Sequence, residues 1–154
     1  MSVIGSASCP DYKSYGISSK KITSIIKDCF KEDVDSGNFI FSEKDQTFSL
    51  YLKEHSLMSF PPRRLQNIVC FTNDSIKDEE DSPSNSIGYN FLRHIRNGFA
   101  HGRVALRGNK QWLALEDINP KSKKVTARMF LNINILLKVN EEIHSLIRKY
   151  ESKN

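Results

Sequence analysis

The amino-acid sequence predicts a mainly α-helical protein, a bundle of about five helices with a small antiparallel β-hairpin inserted before the last helix. Apolar residues recur three and four positions apart over much of the chain, which is the spacing of a helix face packed on a core. For a short stretch after Gly102 that spacing changes to two, as in a strand. The length of 154 residues suits one hydrophobic core.

The N-terminal part of the chain predicts an irregular segment followed by one domain. Residues 1–17 are rich in Ser, Gly and Tyr and show little periodicity, so we expect the domain to span residues 18–154. Ser18 or Ser19 is a suitable N-cap for the first helix. The apolar face of that helix consists of Ile22, Ile25, Ile26, Cys29 and Phe30.

Two further helices are expected before the middle of the chain. One begins after Ser42 and ends at the prolines of residues 61–62, and the next continues over residues 65–72. The polar segment of residues 73–86 contains Pro83 and is typical of a surface loop.

The second half of the chain predicts a helix, a hairpin and a closing helix. The fourth helix runs from about residue 84 to His101, and Gly102 ends it. A hairpin with its turn at residues 108–109 follows, and residues 125–129 form a possible third strand. The apolar positions expected to face the core from the last helix are Ile133, Leu136, Leu137, Ile143, Ile147 and Tyr150.

The charge of the chain is concentrated in one segment. The 23 lysines and arginines exceed the 18 acidic residues by 5. Residues 84–115 contain no acidic residue, and five basic residues lie there: Arg93, Arg96, Arg103, Arg107 and Lys110. This segment therefore carries the whole surplus, whereas residues 74–81 form an acidic run. The pattern permits a nucleic acid as a partner.

Cysteine usage and hydropathy predict a cytoplasmic protein. Cys9, Cys29 and Cys70 are odd in number and form no CxxC pair, which argues against a zinc ribbon and favours a reducing compartment. The chain shows neither the apolar run of a signal peptide nor a membrane span, so we expect no membrane partner.

The end of the fourth predicted helix carries the residues with the clearest chemistry. Arg93, Asn97 and His101 are four positions apart and share one helix face. Arg96 and His101 are five apart, which places them about 140° from each other around the helix. A long arginine side chain or a symmetry-related copy would be needed to bring these two together.

These residue types suit phosphoryl transfer on RNA. A neutral histidine can take the proton of a ribose 2′-hydroxyl, and an arginine can bind the phosphate and stabilise the charge that develops on it. Asn97 can orient either the histidine ring or the phosphate. No acidic residue lies near this motif in the sequence, so we predict no metal site and no cofactor.

The segment Arg96-Asn97-Gly98-Phe99-Ala100-His101 resembles the motif of the HEPN superfamily (higher eukaryotes and prokaryotes nucleotide-binding domains). In its ribonuclease members an Arg, a polar residue, three variable residues and a His end a bundle helix. The resemblance covers residues 18–154 and implies a HEPN-like fold with Arg96, Asn97 and His101 as the catalytic residues. We expect RNA contacts from the other four basic residues: Arg93, Arg103, Arg107 and Lys110.

The same resemblance implies a function and partners. It implies a metal-independent endoribonuclease that leaves a 2′,3′-cyclic phosphate, acts as a toxin or in defence, and forms a homodimer whose motif helices face each other. An antitoxin or another regulatory protein is an implied partner. One branch of the superfamily is controlled by modification of a Tyr two residues after the His, and Arg103 occupies that position here.

Other interpretations stay open at this stage. A catalytically inactive HEPN dimer could bind RNA or regulate a partner, and a winged-helix DNA-binding protein could use the basic helix and the hairpin. Arg96 and His101 could have a purely structural role, since cations near a helix C-terminus stabilise the helix through its dipole. We expect His94 at the surface, His55 in the core and Trp112 in hairpin packing.

Overall fold

The computed structural model describes residues 15–41, 66–73 and 87–153. Within these ranges the chain forms four helices and five strands. In chain order they are α1 (Ser19–Cys29), α2 (Lys31–Asp35), β1 (Phe39–Ile40), β2 (Ile68–Phe71), α3 (Ile87–Ala100), β3 (Val104–Arg107), β4 (Trp112–Ile118), β5 (Val125–Asn132) and α4 (Ile133–Lys153). The predicted second helix, His55 and the acidic run of residues 74–81 lie outside the described residues.

The strands form one mixed sheet in the order β1-β2-β5-β4-β3. Strands β1 and β2 are parallel, and the other neighbours are antiparallel. The protein is therefore an α/β protein, and the predicted mainly α-helical bundle with a small hairpin is wrong. The hairpin exists, but it is one edge of a five-stranded sheet.

The error arose chiefly at residues 65–72, where we expected a helix and the structure has β2. All four residues of β2, Ile68–Phe71, are buried. A short continuous apolar run fits a fully buried strand as well as a buried helix, and periodicity alone cannot distinguish them. The third strand predicted at residues 125–129 is confirmed as part of β5.

The two faces of the sheet have separate apolar clusters, because successive strand residues point to opposite sides. Leu113 and Leu115 of β4 belong to the larger cluster, which also contains residues of α1, α3 and α4. Trp112 and Ala114 belong to a smaller cluster on the other face. The Trp112 ring stacks on Phe130 with centroids 4.9 Å apart, so the expected packing role of Trp112 is confirmed.

Helix α1 follows its predicted pattern. Ser18 is the N-cap, and its side chain accepts a hydrogen bond from the Lys21 backbone N–H at 3.2 Å. The buried apolar residues of this segment are Ile22, Ile25, Ile26 and Phe30. In α4, Leu136 and Ile143 are buried as expected, but Leu137 is 59% exposed and does not contribute to the core. No helix in the described ranges is both long enough and apolar enough for a membrane span.

Helix α3 is held closely against its neighbours at two glycines. Near its start, the Gly88 N–H donates to Thr23 Oγ1 of α1 at 2.9 Å. A Cβ atom on Gly88 would lie 2.6 Å from the Thr23 backbone nitrogen, and one on Gly98 would lie 2.7 Å from Leu115 Cγ of β4. Only a residue without a side chain allows these close approaches, so α3 is fixed against both α1 and the sheet.

The C-terminus of α3 ends as predicted. Gly102 has a φ of +67°, the left-handed conformation that glycine adopts without strain. The Arg103 N–H donates to Gly98 O at 2.8 Å, and the Gly102 N–H donates to Phe99 O at 3.1 Å. This pair of bonds is the Schellman motif, which makes His101 the last residue before the chain turns into β3.

Candidate functional site

A polar cleft lies where the C-terminal half of α3 meets the end of β4 and the residue after β2. It has a volume of about 140 Å³. Its lining residues are Thr72, Arg93, His94, Asn97, His101, Asp117, Ile118, Asn119, Pro120 and Thr126. Charged and amide side chains dominate this lining, so the cleft suits a polar or anionic ligand.

Three of the predicted site residues meet in this cleft. Arg93, Asn97 and His101 line it from one face of α3, as their four-residue spacing predicts. His101 is exposed at the helix end, and its backbone N–H donates to Asn97 O at 3.0 Å. The exposed position leaves the imidazole accessible to a ligand in the cleft.

Arg96 is placed differently from its predicted partner. Among the described residues that line the cleft Arg96 is absent, in keeping with its position about 140° around α3 from His101. Its Nη1 donates to the side-chain Oδ1 of Asn97 at 2.8 Å. Within one chain, Arg96 therefore contacts the site through Asn97.

The structure adds two residues that sequence reasoning missed, His94 and Asp117. His94 is 2% exposed, so the expectation of a surface histidine is wrong. Its Nδ1 lies 2.7 Å from Asp117 Oδ2, and its Nε2 lies 2.9 Å from the Thr72 carbonyl oxygen. Asp117 Oδ2 also accepts from Asn97 Nδ2 at 3.2 Å. These contacts tie α3 to β4 and to the end of β2.

A sequence signal for both residues existed. His94 lies three positions after Phe91 and seven after Ile87, which is the spacing of the buried face of α3. Asp117 continues the alternation of Leu113 and Leu115 on the face of β4 that packs against the helices. A titratable side chain on a core-facing position indicates a partner in the core, because a buried charge must be paired.

The environment of Asp117 favours its ionised form. Burial alone would raise the pKa of this carboxyl. The hydrogen bond and charge of His94, the hydrogen bond from Asn97 and the charge of Arg93 outweigh burial, so the pKa lies below its ordinary value. Asp117 is therefore a carboxylate at neutral pH.

The other predicted RNA-binding residues lie away from the cleft. Arg103 Nη2 donates to Glu116 Oε1 at 2.5 Å, and Arg128 Nε donates to the second oxygen of the same carboxylate at 2.8 Å. Glu116 follows directly after the acid-free segment and faces away from α3. The charge of Arg103 is thus paired with the Glu116 carboxylate of β4.

The remaining two basic residues belong to the tip of the hairpin. Arg107 pairs with Trp112 in the β3–β4 ladder, and Lys110 is exposed in the turn. Trp112 is five residues before Asp117 on β4, a separation of about 17 Å along an extended strand. Within one chain, these side chains belong to a different part of the surface from the cleft.

The His, Cys, Asp and Glu side chains of the described residues form no metal-ligating cluster. In residues 15–41, 66–73 and 87–153 no group of three or more His, Cys, Asp or Glu side chains is arranged to hold a metal ion. Cys70 is buried, and Cys29 is partly buried.

Comparison with known proteins identifies the family. No curated protein and no solved structure matches the chain. A family model described as HEPN pEK499 p136 matches residues 19–154. The match includes the Arg96–His101 motif and both sides of the cleft, and it confirms the resemblance read from the motif. The chain belongs to this HEPN family.

Proposed function

We propose that the protein is an RNA-cleaving endoribonuclease of the HEPN type and that the cleft is its active site. The observation that carries this proposal is the position of His101, exposed at the end of α3 in a cleft shared with Arg93 and Asn97. A proton-transfer group thereby lies beside an arginine and an amide that can hold a phosphate.

In the proposed reaction the cleft binds one phosphodiester of RNA. His101 takes the proton of the 2′-hydroxyl, the 2′-oxygen attacks the phosphorus, and the bond to the 5′-oxygen breaks. The proton that His101 has taken passes, directly or through water, to the leaving 5′-oxygen, and the products are a 2′,3′-cyclic phosphate and a 5′-hydroxyl. The reaction requires no metal ion, because basic side chains stabilise the charge on the phosphate oxygens.

The proposal assigns Arg96 to phosphate stabilisation in a homodimer. Two α3 helices facing each other would bring Arg96 of one copy toward the cleft of the other, which a single chain does not achieve. Phe99 is 44% exposed near the end of α3 and offers an apolar contact for such a pairing. We further propose a role as a toxin or in defence, with an antitoxin or another regulatory protein as partner.

The test compares wild type, His101→Ala and His144→Ala on tRNA and on a mixed RNA pool, with and without a chelator. His144 lies on α4 and takes no part in the cleft, so it is a matched histidine control. We expect cyclic-phosphate ends from wild type and His144→Ala but none from His101→Ala, whose circular dichroism should equal wild type. Equal cleavage by all three proteins, or loss of cleavage on chelation, contradicts the proposal.

A second candidate is a HEPN dimer that binds RNA without cleaving it. The separation of Arg96 from the cleft of its own chain favours it if the two copies pair through a face other than α3, because Arg96 then does not reach the phosphate. It predicts RNA binding with no turnover and the same affinity in His101→Ala. The winged-helix interpretation is disfavoured, since Arg93, Asn97 and His101 of α3 line a concave cleft and do not project from a convex surface that could enter a DNA groove.

A further inference from the structure

The hydrogen-bonded chain Arg96–Asn97–Asp117–His94–Thr72 runs along the wall of the cleft, and its contacts indicate where the protons are. A guanidinium can only donate, so the Asn97 atom 2.8 Å from Arg96 Nη1 must be the amide oxygen. The amide nitrogen of Asn97 then faces Asp117 Oδ2 and donates to it at 3.2 Å.

The other end of the chain fixes the histidine. A backbone carbonyl can only accept, so His94 Nε2, which lies 2.9 Å from Thr72 O, must carry a hydrogen. One proton also lies between His94 Nδ1 and Asp117 Oδ2, which are 2.7 Å apart. Asp117 accepts from Asn97 and lies near the charge of Arg93, and both favour its carboxylate form, so we assign this proton to Nδ1. Both ring nitrogens of His94 are then protonated.

We propose that His94 is a buried imidazolium whose positive charge cancels that of the Asp117 carboxylate, so that the pair positions Asn97 and Arg96 without repelling a phosphate in the cleft. This inference rests on the proposed function for its substrate. His94 and Asp117 are positioning residues in it, since they act through Asn97 and through the charge of the cleft.

The charge balance explains how a carboxylate can line a phosphate site. Asp117 alone would repel an RNA phosphate. The charged or titratable groups of the described residues that face His94 or share its cleft are Asp117 from β4, and Arg93 and His101 from α3, while Thr72 from the end of β2 is neutral. With Asp117 neutralised by His94, Arg93 leaves the cleft positive.

The protonation of His94 can be measured on the wild-type protein without any RNA. In nitrogen-15 NMR spectra of histidine-labelled protein at neutral pH, we expect both ring nitrogens of His94 to be protonated. The ring of His144 provides the reference in the same spectra. A His94 ring with one unprotonated nitrogen at neutral pH overturns the proposal.

The charge balance is tested by RNA binding rather than cleavage. The probe is a 2′-O-methyl RNA oligonucleotide, which cannot be cleaved because its 2′-oxygen is blocked. His94→Gln leaves Asp117 uncompensated, and we expect its Kd to rise about tenfold, since a unit charge at close range in the protein has an effect of this order. The double variant His94→Gln/Asp117→Asn is neutral again and should recover most of that loss.

The outcomes separate the two proposals. A merely structural role for the pair predicts that the double variant binds no better than His94→Gln, and that result overturns the inference. Circular dichroism identifies any variant that fails to fold, and the wild-type NMR measurement then decides. A wild type that binds RNA and shows the imidazolium but yields no cyclic-phosphate ends contradicts the ribonuclease proposal while leaving the pair intact.

Discussion

Gly98→Ala tests the close contact between α3 and β4. A new Cβ atom would lie 2.7 Å from Leu115 Cγ and 2.9 Å from its Cδ1. Since carbon atoms in contact are normally about 3.5–4.0 Å apart, the buried Leu115 side chain and α3 must move apart by about 1 Å. Overpacking of this kind lowers the free energy of unfolding by about 1–3 kcal/mol. Replacing glycine by alanine inside a helix raises it by about 1 kcal/mol, because alanine has the higher helix propensity. We expect the free energy of unfolding to fall by about 1 kcal/mol.

The assay is urea unfolding followed by circular dichroism. Gly98→Ala is measured in the wild-type background and in the Leu115→Ala background. The shorter side chain removes the clashing atoms, so there Gly98→Ala should fill space and stabilise the protein. This reversal of sign is the signature of a steric cause. Stabilisation of the wild type by Gly98→Ala, or equal destabilisation in both backgrounds, would refute the reasoning.

The same displacement should affect the cleft. Asn97 Nδ2 and Asp117 Oδ2 are 3.2 Å apart, and a separation of α3 from β4 by about 1 Å takes them out of hydrogen-bonding range. If the proposed activity holds, RNA cleavage by Gly98→Ala should therefore drop by about tenfold or more, a loss typical of a misplaced catalytic group.

Three further outcomes are expected. Because the pKa of Asp117 is held below its ordinary value of 3.8, its ionised form stabilises the fold at higher pH. The stability advantage of wild type over Asp117→Asn in urea should thus be present above pH 3.8 and disappear as the pH falls further. Burial raises the pKa of Cys70 to about 12, so native protein at about pH 8 should be alkylated there only as it unfolds, as peptide mass spectrometry would show. Phe99→Asp should weaken self-association in analytical ultracentrifugation, whereas the control Leu137→Asp, at an exposed apolar residue of α4, should not. A dimer unaffected by Phe99→Asp contradicts the proposed pairing.

The sequence predicted the local elements better than their arrangement. The stripe of α1, the end of α3 at Gly102 and the hairpin all depend on spacing and turn residues within a few positions of each other. The parallel pairing of β1 with β2 depends on residues 30 positions apart, Phe39 and Val69, and no local pattern encodes it. The fold class was therefore predicted wrongly because of β2. Its residues are all apolar and buried, so their spacing does not distinguish a strand from a helix.

The candidate site shows the same division. The face shared by Arg93, Asn97 and His101 follows from one helix, and the structure places all three at the cleft. The contact of His94 with Asp117 joins α3 to β4 across 23 positions, so the sequence could indicate two buried titratable residues but not their pairing. Asp117 is close to the motif in space but not along the chain, so the neighbouring residues in the sequence show no acid there.

The strand order also fixes when the cleft can form as the protein is synthesised. Thr72 follows β2 and Asp117 lies on β4, and β5 separates these two strands in the sheet. A nascent chain that has not yet exposed residues 125–132 lacks the strand that holds β2 and β4 in position. Residues 125–132 must therefore leave the ribosome before the floor of the cleft is assembled. A chain with the proposed ribonuclease activity would therefore stay inactive on the ribosome until that point.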